Sequence, residues 1–190
     1  MAKKFLNELQ HPPAFIEIGV DRGVSFLTLV TFLARTKPKY LAVGIDIMVQ
    51  DAVRLMLANI DVKEDQQSHL FEGNSLSVLP EMIRQNAKFD LLLIDGDHNY
   101  HTVKSELQFI PQITHKHSMI IIDDYSGRWG ERDLFYSERE GYEDNKLATQ
   151  RVETEKHGVK PAVDEWLAEH HEWTLSKAMQ GEPVMLLRND

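Results

Sequence analysis

Apolar and polar positions along the chain fall into two alternating rhythms. Short apolar runs stand at AFIEIGV (14–20), YLAVGIDI (40–47), HLFEG (69–73), FDLLLID (89–95) and SMIIIDDY (118–125), and each reads as a strand. Between them lie stretches of helical length: GVSFLTLVTFLARTK (23–37), MVQDAVRLMLANI (48–60), SLSVLPEMIRQN (75–86) and YHTVKSELQFI (100–110). In the second of these, Val49, Val53, Met56 and Ile60 share one side. Ser75 is the expected N-cap of the third. The first, fourth and fifth strands lack polar alternation, as expected for parallel strands covered on both faces. Strict β-α-β-α order predicts an α/β fold with a doubly wound, mostly parallel, Rossmann-like sheet. Right-handed crossovers then bring the strand C-termini to one edge, where ligands bind.

The rhythm breaks at 126–160, where 15 of 35 residues are Asp, Glu, Lys or Arg. Such a composition does not suit a core. The stretch reads as a solvated surface loop or, because Trp129, Phe135, Tyr136 and Tyr142 lie among the charges, as a lid over the site. Regular structure resumes at PAVDEWLAEH (161–170), with Pro161 suited to a first helical turn. The segments 172–178 and 183–189, separated by MQGE, read as a closing antiparallel hairpin. Trp166 has core-like spacing on its helix. The 190 residues suit a single domain over 1–190, with 126–160 inserted.

Charge and composition narrow the partners. Thirty acids against 21 bases give a net charge of −9, so no nucleic-acid partner is expected. With no cysteine there are no disulfides or thiolate metal sites, which fits a cytoplasmic protein. The N-terminus MAKKFLNELQHPP lacks the apolar core of a signal peptide, and no run reaches the roughly 20 apolar residues of a membrane span. Assembly as a homo-oligomer is left open.

The loop EIGVDRG (17–23) follows the first strand and opens the first helix. Gly19 and Gly23 let backbone approach a ligand, or merely serve a strand-to-helix turn. Asp21 stands where the dinucleotide fingerprint needs its second glycine, and an acid there repels a pyrophosphate. A cationic or zwitterionic ligand fits better. Asp46 ends the second strand, 27 residues beyond Gly19, where an acid can accept hydrogen bonds from both hydroxyls of a ribose. The third strand runs into EGNS (72–75), whose Gly73, Asn74 and Ser75 could contact an adenine edge. Together with Glu17 and Asp95, these positions form the expected site for an adenosyl ligand without a diphosphate.

With these residues in view, the chain resembles the class I S-adenosylmethionine-dependent methyltransferases over nearly its whole length. IDGDHNYHTV (94–103), IIIDDY (120–125) and GVKPAVDEW (158–166) resemble, within that class, the small-molecule O-methyltransferases related to the macrocin and novobiocin sugar enzymes. The resemblance implies S-adenosylmethionine as cofactor and a small-molecule hydroxyl, on a sugar or a catechol-like ring, as acceptor.

Asp95 ends the fourth strand, and Asp123 and Asp124 end the fifth. Adjacent strands lie roughly 4.8 Å apart, so these carboxylates can converge. Bare, they would repel and raise one another's pKa. A hard divalent cation removes the conflict, and oxygen ligands favour Mg²⁺, Mn²⁺ or Ca²⁺, with Mg²⁺ first. The resemblance agrees, because metal-dependent relatives bind an ion with the matching acids. It also implies that the proton acceptor is Asp97 or His98, with Asp97 slightly preferred for its place in the DGD pattern. Zinc binding by His98 and His101 is disfavoured, since no third nitrogen ligand is placed. His115, His117, His170 and His171 read as surface or structural residues. Two other readings compete: a catalytically silent adenosyl-binding module, against which the full acid set argues, and a nicotinamide oxidoreductase, against which Asp21 argues.

Overall fold

The computed structural model describes residues 1–180 and 183–189. Seven strands form one sheet in the order β3-β2-β1-β4-β5-β7-β6. β1 (Ala14–Ile18) is the middle one of the five parallel strands, next to β2 (Tyr40–Asp46) on one side and to β4 (Phe89–Ile94) on the other. β3 (Gln66–Glu72) extends the sheet beyond β2, and β5 (Thr114–Ile122) extends it beyond β4, both in parallel. The expected hairpin forms from β6 (Trp173–Gln180) and β7 (Val184–Arg188), with β7 antiparallel to both β5 and β6. Its tip, at 181–182, lies outside the described residues.

Helices cover both faces, so the central strands β1 and β4 are apolar apart from the buried acids Glu17 and Asp90. One core layer joins Ile16, Ile18, Leu92, Ile94 and Ile120 to the helices α4 (Ser75–Arg84), α5 (Tyr100–Ile113) and α6 (Val159–Glu169). The opposite layer packs Phe15, Ala42 and Leu91 against α2 (Val24–Thr36) and α1 (Ala2–Glu8), the latter a helix the sequence pattern did not reveal. Trp166 is buried and stacks obliquely on Trp173, at 5.6 Å between ring centroids, which bears out its packing role.

Several boundaries differ from expectation for identifiable reasons. α3 (Asp51–Ala58) starts late, and Met56 is exposed; Val53 and Leu57 carry its apolar stripe. α5 continues through Pro111 because Ile110 and Ile113 are both buried in the core. The N-cap of α4 is Asn74, whose Oδ1 accepts the Leu76 N–H at 2.9 Å, and not Ser75. The charged stretch 126–160 is folded onto the protein rather than solvated throughout: Phe135 and Ala148 are buried, and Leu134 pairs with His98 in an isolated bridge. Asp133 fastens its ends by accepting the N–H groups of Tyr100 at 2.9 Å and Gly158 at 2.7 Å. No described helix is long and apolar enough to cross a membrane.

Candidate active site

The strand order reverses between β1 and β4, and a crevice opens outside their C-terminal ends. There a cleft is walled by Ile18, Ile45 and Ile47, with Gly19, Asp21, Asp46, Gly73, Asn74, Ser75, Asp95 and Asp97 along it. The mixed apolar and polar lining suits a small-molecule ligand. Gly19 makes the crevice possible. Its φ is +85°, and a Cβ there would fall 2.0 Å from the carbonyl oxygen of Asp95.

Asp46 organises the loop above. Its Oδ2 accepts the N–H groups of Val20 and Asp21, both at 2.8 Å, and its Oδ1 accepts that of Met48 at 2.8 Å. A carboxylate offers about four lone-pair sites, so roughly one is left for a ribose hydroxyl instead of the two expected. Asn74 and Ser75 are similarly engaged. The Asn74 amide donates to Leu147 O at 2.8 Å and Thr149 Oγ1 at 3.0 Å, and the Ser75 hydroxyl donates to Glu106 at 2.5 Å. Their side-chain donors are thus used internally, and the Gly73 N–H is likewise taken, donating to the Asp46 carbonyl at 2.8 Å.

Two expected cofactor residues do not reach the cleft wall. Gly23 caps α2 at φ +74° and faces Leu27 and Val53. Glu17 is buried below the wall and accepts the Ser25 hydroxyl, while its Oε2 has no partner. Burial pushes its carboxyl up to about 8, so it is protonated at neutral pH. Glu106, missed in the sequence, does line the cleft. It is fully buried, its Oε2 is unpartnered, and burial pushes it up to about 8. A signal for it exists: it is a lone acid in the Val103, Leu107, Ile110 stripe of α5.

The insertion reaches the cleft. Tyr136, Tyr142 and Thr149 from the insertion line the cleft, and the two tyrosine rings meet edge to face at 5.2 Å. Tyr136 donates its backbone N–H to Asp97 Oδ1 at 3.2 Å, and Asn145 donates to Ile47 O at 2.9 Å. The insertion is therefore tied to the strand ends at Asp97 and at Ile47.

The acids do converge. One ligand atom each from Asp95, His98 and Asp123 lie within 4.8 Å of one another. His98 Nε2 is 3.6 Å from Asp95 Oδ1, and its Nδ1 is 3.4 Å from Asp124 Oδ2. Asp124 lies on the far side of the imidazole, outside the tight trio, in a left-handed turn at φ +56° that ends β5. Burial, then the charge of Asp123, pushes the Asp95 carboxyl up to about 7. Burial also holds His98 below the usual imidazole value, against the pull of Asp124 and Asp123. Three carboxylates and a neutral imidazole offer oxygen donors in excess of protons, a donor set that fits a divalent cation. His101 is not part of this group.

Comparison with known proteins shows the family and the fold. A family profile described as a methyltransferase domain matches residues 16–125, more than half of the chain. Among solved structures, the fold is similar to CalS11, a TDP-rhamnose 3'-O-methyltransferase of calicheamicin biosynthesis, at 17% identity over 100% of this chain and 78% of that one, with a TM-score of 0.62. It is also similar to an O-methyltransferase from Bacillus cereus in complex with SAH, at 15% identity over 100% and 80% of the two chains, with a TM-score of 0.61. MycE, a methyltransferase of the mycinamycin pathway in complex with Mg and SAH, matches at 14% identity over 99% of this chain and 48% of its own, with a TM-score of 0.59. No curated protein matches the chain. Profile and fold together assign the chain to the methyltransferase-domain family, with the class I fold of enzymes that take their methyl group from S-adenosylmethionine.

Proposed function

We propose that the chain, working as one domain, transfers a methyl group from S-adenosylmethionine to a hydroxyl of a small molecule, a sugar or a catechol-like ring, beside a divalent ion. The observation that carries this reading is the convergence of Asp95 and Asp123 beside His98, with Asp124 across the imidazole, at the cleft outside the strand ends. The solved O-methyltransferases of like fold, with SAH and in one case Mg, support it.

When bound, S-adenosylmethionine supplies an electrophilic methyl on a sulfonium. When bound, a divalent ion at Asp95 and Asp123, which Asp124 could join from across the His98 ring, would supply positive charge that favours ionisation of a nearby hydroxyl. The protein's own residues do the rest. Gly19 and the Gly73 backbone admit the adenosyl group closely, and Asp46 holds the loop and offers a ribose contact. Asp21 and Asp95 keep the sulfonium end of the cleft negative. Ile18, Ile45, Ile47 and the two tyrosines exclude water. His98 takes the acceptor's proton at a ring nitrogen. Its ring starts neutral because it is buried, and Asp95 and Asp124 on either side stabilise the imidazolium that results. Asp97, the other candidate base, has its Oδ1 committed to the Tyr136 N–H and its Oδ2 near Thr102 at 3.4 Å, and serves as the anchor of the lid.

Labelled S-adenosylmethionine offered with glycoside and catechol libraries, with and without EDTA, tests the reading. Methyl ethers are expected only without chelator. Transfer to nitrogen or carbon acceptors alone would overturn the acceptor class.

A further inference from the structure

We propose that His11, Asp90 and His115 form a second metal site, for a borderline divalent ion of the Zn²⁺ type, at the edge of the sheet opposite the cleft. One ligand atom from each lies within 4.8 Å of the others. Asp90 is the second residue of β4, His115 the second of β5, and His11 lies in the segment that leads into β1. All three strands run parallel, so this is their N-terminal edge, remote from the carboxylates at their C-terminal ends.

Asp90 is buried, with its side chain 2% exposed, and its two oxygens have different partners. Oδ2 accepts the N–H of Ala14 at 2.8 Å. Oδ1 faces two imidazoles, His11 Nε2 at 2.6 Å and His115 Nε2 at 2.8 Å. The decisive contact is on the other side of the second ring. His115 Nδ1 lies 2.7 Å from the carbonyl oxygen of Lys116. A carbonyl only accepts, so Nδ1 carries the hydrogen. In the neutral ring Nε2 then bears a lone pair, aimed at a carboxylate oxygen. Two acceptors at hydrogen-bond distance require a cation: either a second proton on the ring or a metal ion between them.

The surroundings favour the metal. Imidazole nitrogen and carboxylate oxygen are the ligands that Zn²⁺ and its neighbours take, and three protein ligands leave a fourth position open. A ligating histidine normally donates its other ring N–H to a backbone carbonyl, and a ligating carboxylate is itself hydrogen-bonded. The Lys116 carbonyl and the Ala14 N–H supply these supports. Around an ion with bonds of about 2.0–2.1 Å, tetrahedral ligand atoms stand roughly 3.3 Å apart, so from 2.6 and 2.8 Å the rings of His11 and His115 would retreat from Asp90 by about 0.7 and 0.5 Å. They are free to do so, with His11 and His115 side chains 53% and 36% exposed. An ion here would tie the segment before β1 to β4 and β5, making the site a structural staple.

This proposal is independent of the methyl-transfer reading. The test is Co²⁺ and Zn²⁺ titration of the full chain carrying Asp95→Asn and Asp123→Asn, which removes the other cluster from the count. One equivalent of Co²⁺ is expected, with the intense visible absorption of four-coordinate geometry. Zn²⁺ should displace it and Mg²⁺ should not. His11→Gln and His115→Gln, both partly exposed and tolerable to the fold, should each weaken binding at least tenfold. At a hundredfold excess over its Kd, Zn²⁺ should raise the melting temperature by about 5–10 °C, and this rise should vanish in both variants. No Co²⁺ binding, or binding unchanged by His115→Gln, would overturn the site and leave His115 as an imidazolium paired with Asp90.

Discussion

Tyr136 donates its backbone N–H to the Asp97 carboxylate at 3.2 Å, so the charged insertion is latched to the turn that follows β4. The same residue lines the cleft beside Tyr142.

Tyr136→Ala should weaken binding of S-adenosylhomocysteine about tenfold, the loss of roughly 1.4 kcal/mol expected for one aromatic wall. Its circular dichroism should match the wild type. Calorimetric titration reads the affinity, and unchanged binding would return 126–160 to the role of a surface loop.

Asp46→Ala should both destabilise the protein and weaken the cofactor. Its carboxylate takes three backbone N–H bonds, and leaving them to water should cost about 2 kcal/mol in a urea melt. Cofactor affinity should fall with it, because the glycine loop loses its anchor.

Glu106 sets a pH dependence of stability. In the unfolded chain its carboxyl titrates near 4.5, and in the fold near 8. Between those values the native state holds the extra proton, so stability falls as pH rises through the window and the contribution is gone above about 8. Glu17 adds to the same slope. Glu106→Gln should flatten the dependence of the urea midpoint between pH 5 and 8 and raise stability at the alkaline end. An unchanged slope would mean that Glu106 is ionised in the fold.

The fold was legible because its signal is redundant. Five strands and their helices are each marked by an apolar run or a helical stripe, and β4 and β5 lie side by side as their order predicts. What was hidden depends on tertiary contact. Asn74 displaced Ser75 as the cap because Ser75 turns to Glu106, which no local pattern shows. Phe135 and Ala148 are buried in a stretch whose charge suggests solvent, because Asp133 and Asn145 tie it down at separate points. The convergence of Asp95 with Asp123 could be read from strand order alone. The insertion of the His98 ring between Asp95 and Asp124 could not, because it follows from the turn after β4 and the left-handed turn at Asp124.

The two candidate bases separate by kinetics. His98→Gln should lower kcat by about 10²–10⁴-fold while leaving S-adenosylhomocysteine affinity intact. Asp97→Asn should act mainly through the lid, raising KM for the cofactor with a smaller effect on kcat. The reverse pattern would make Asp97 the proton acceptor.

The central claim is that the strand-end acids hold a divalent ion on which methyl transfer depends. Its most direct test is Mn²⁺ titration of EDTA-treated enzyme, reading bound ion by electron paramagnetic resonance and turnover in the same samples. Turnover should rise in step with occupancy of one site, and Asp123→Asn and Asp124→Asn should abolish both together. Full turnover in metal-free enzyme would contradict the account.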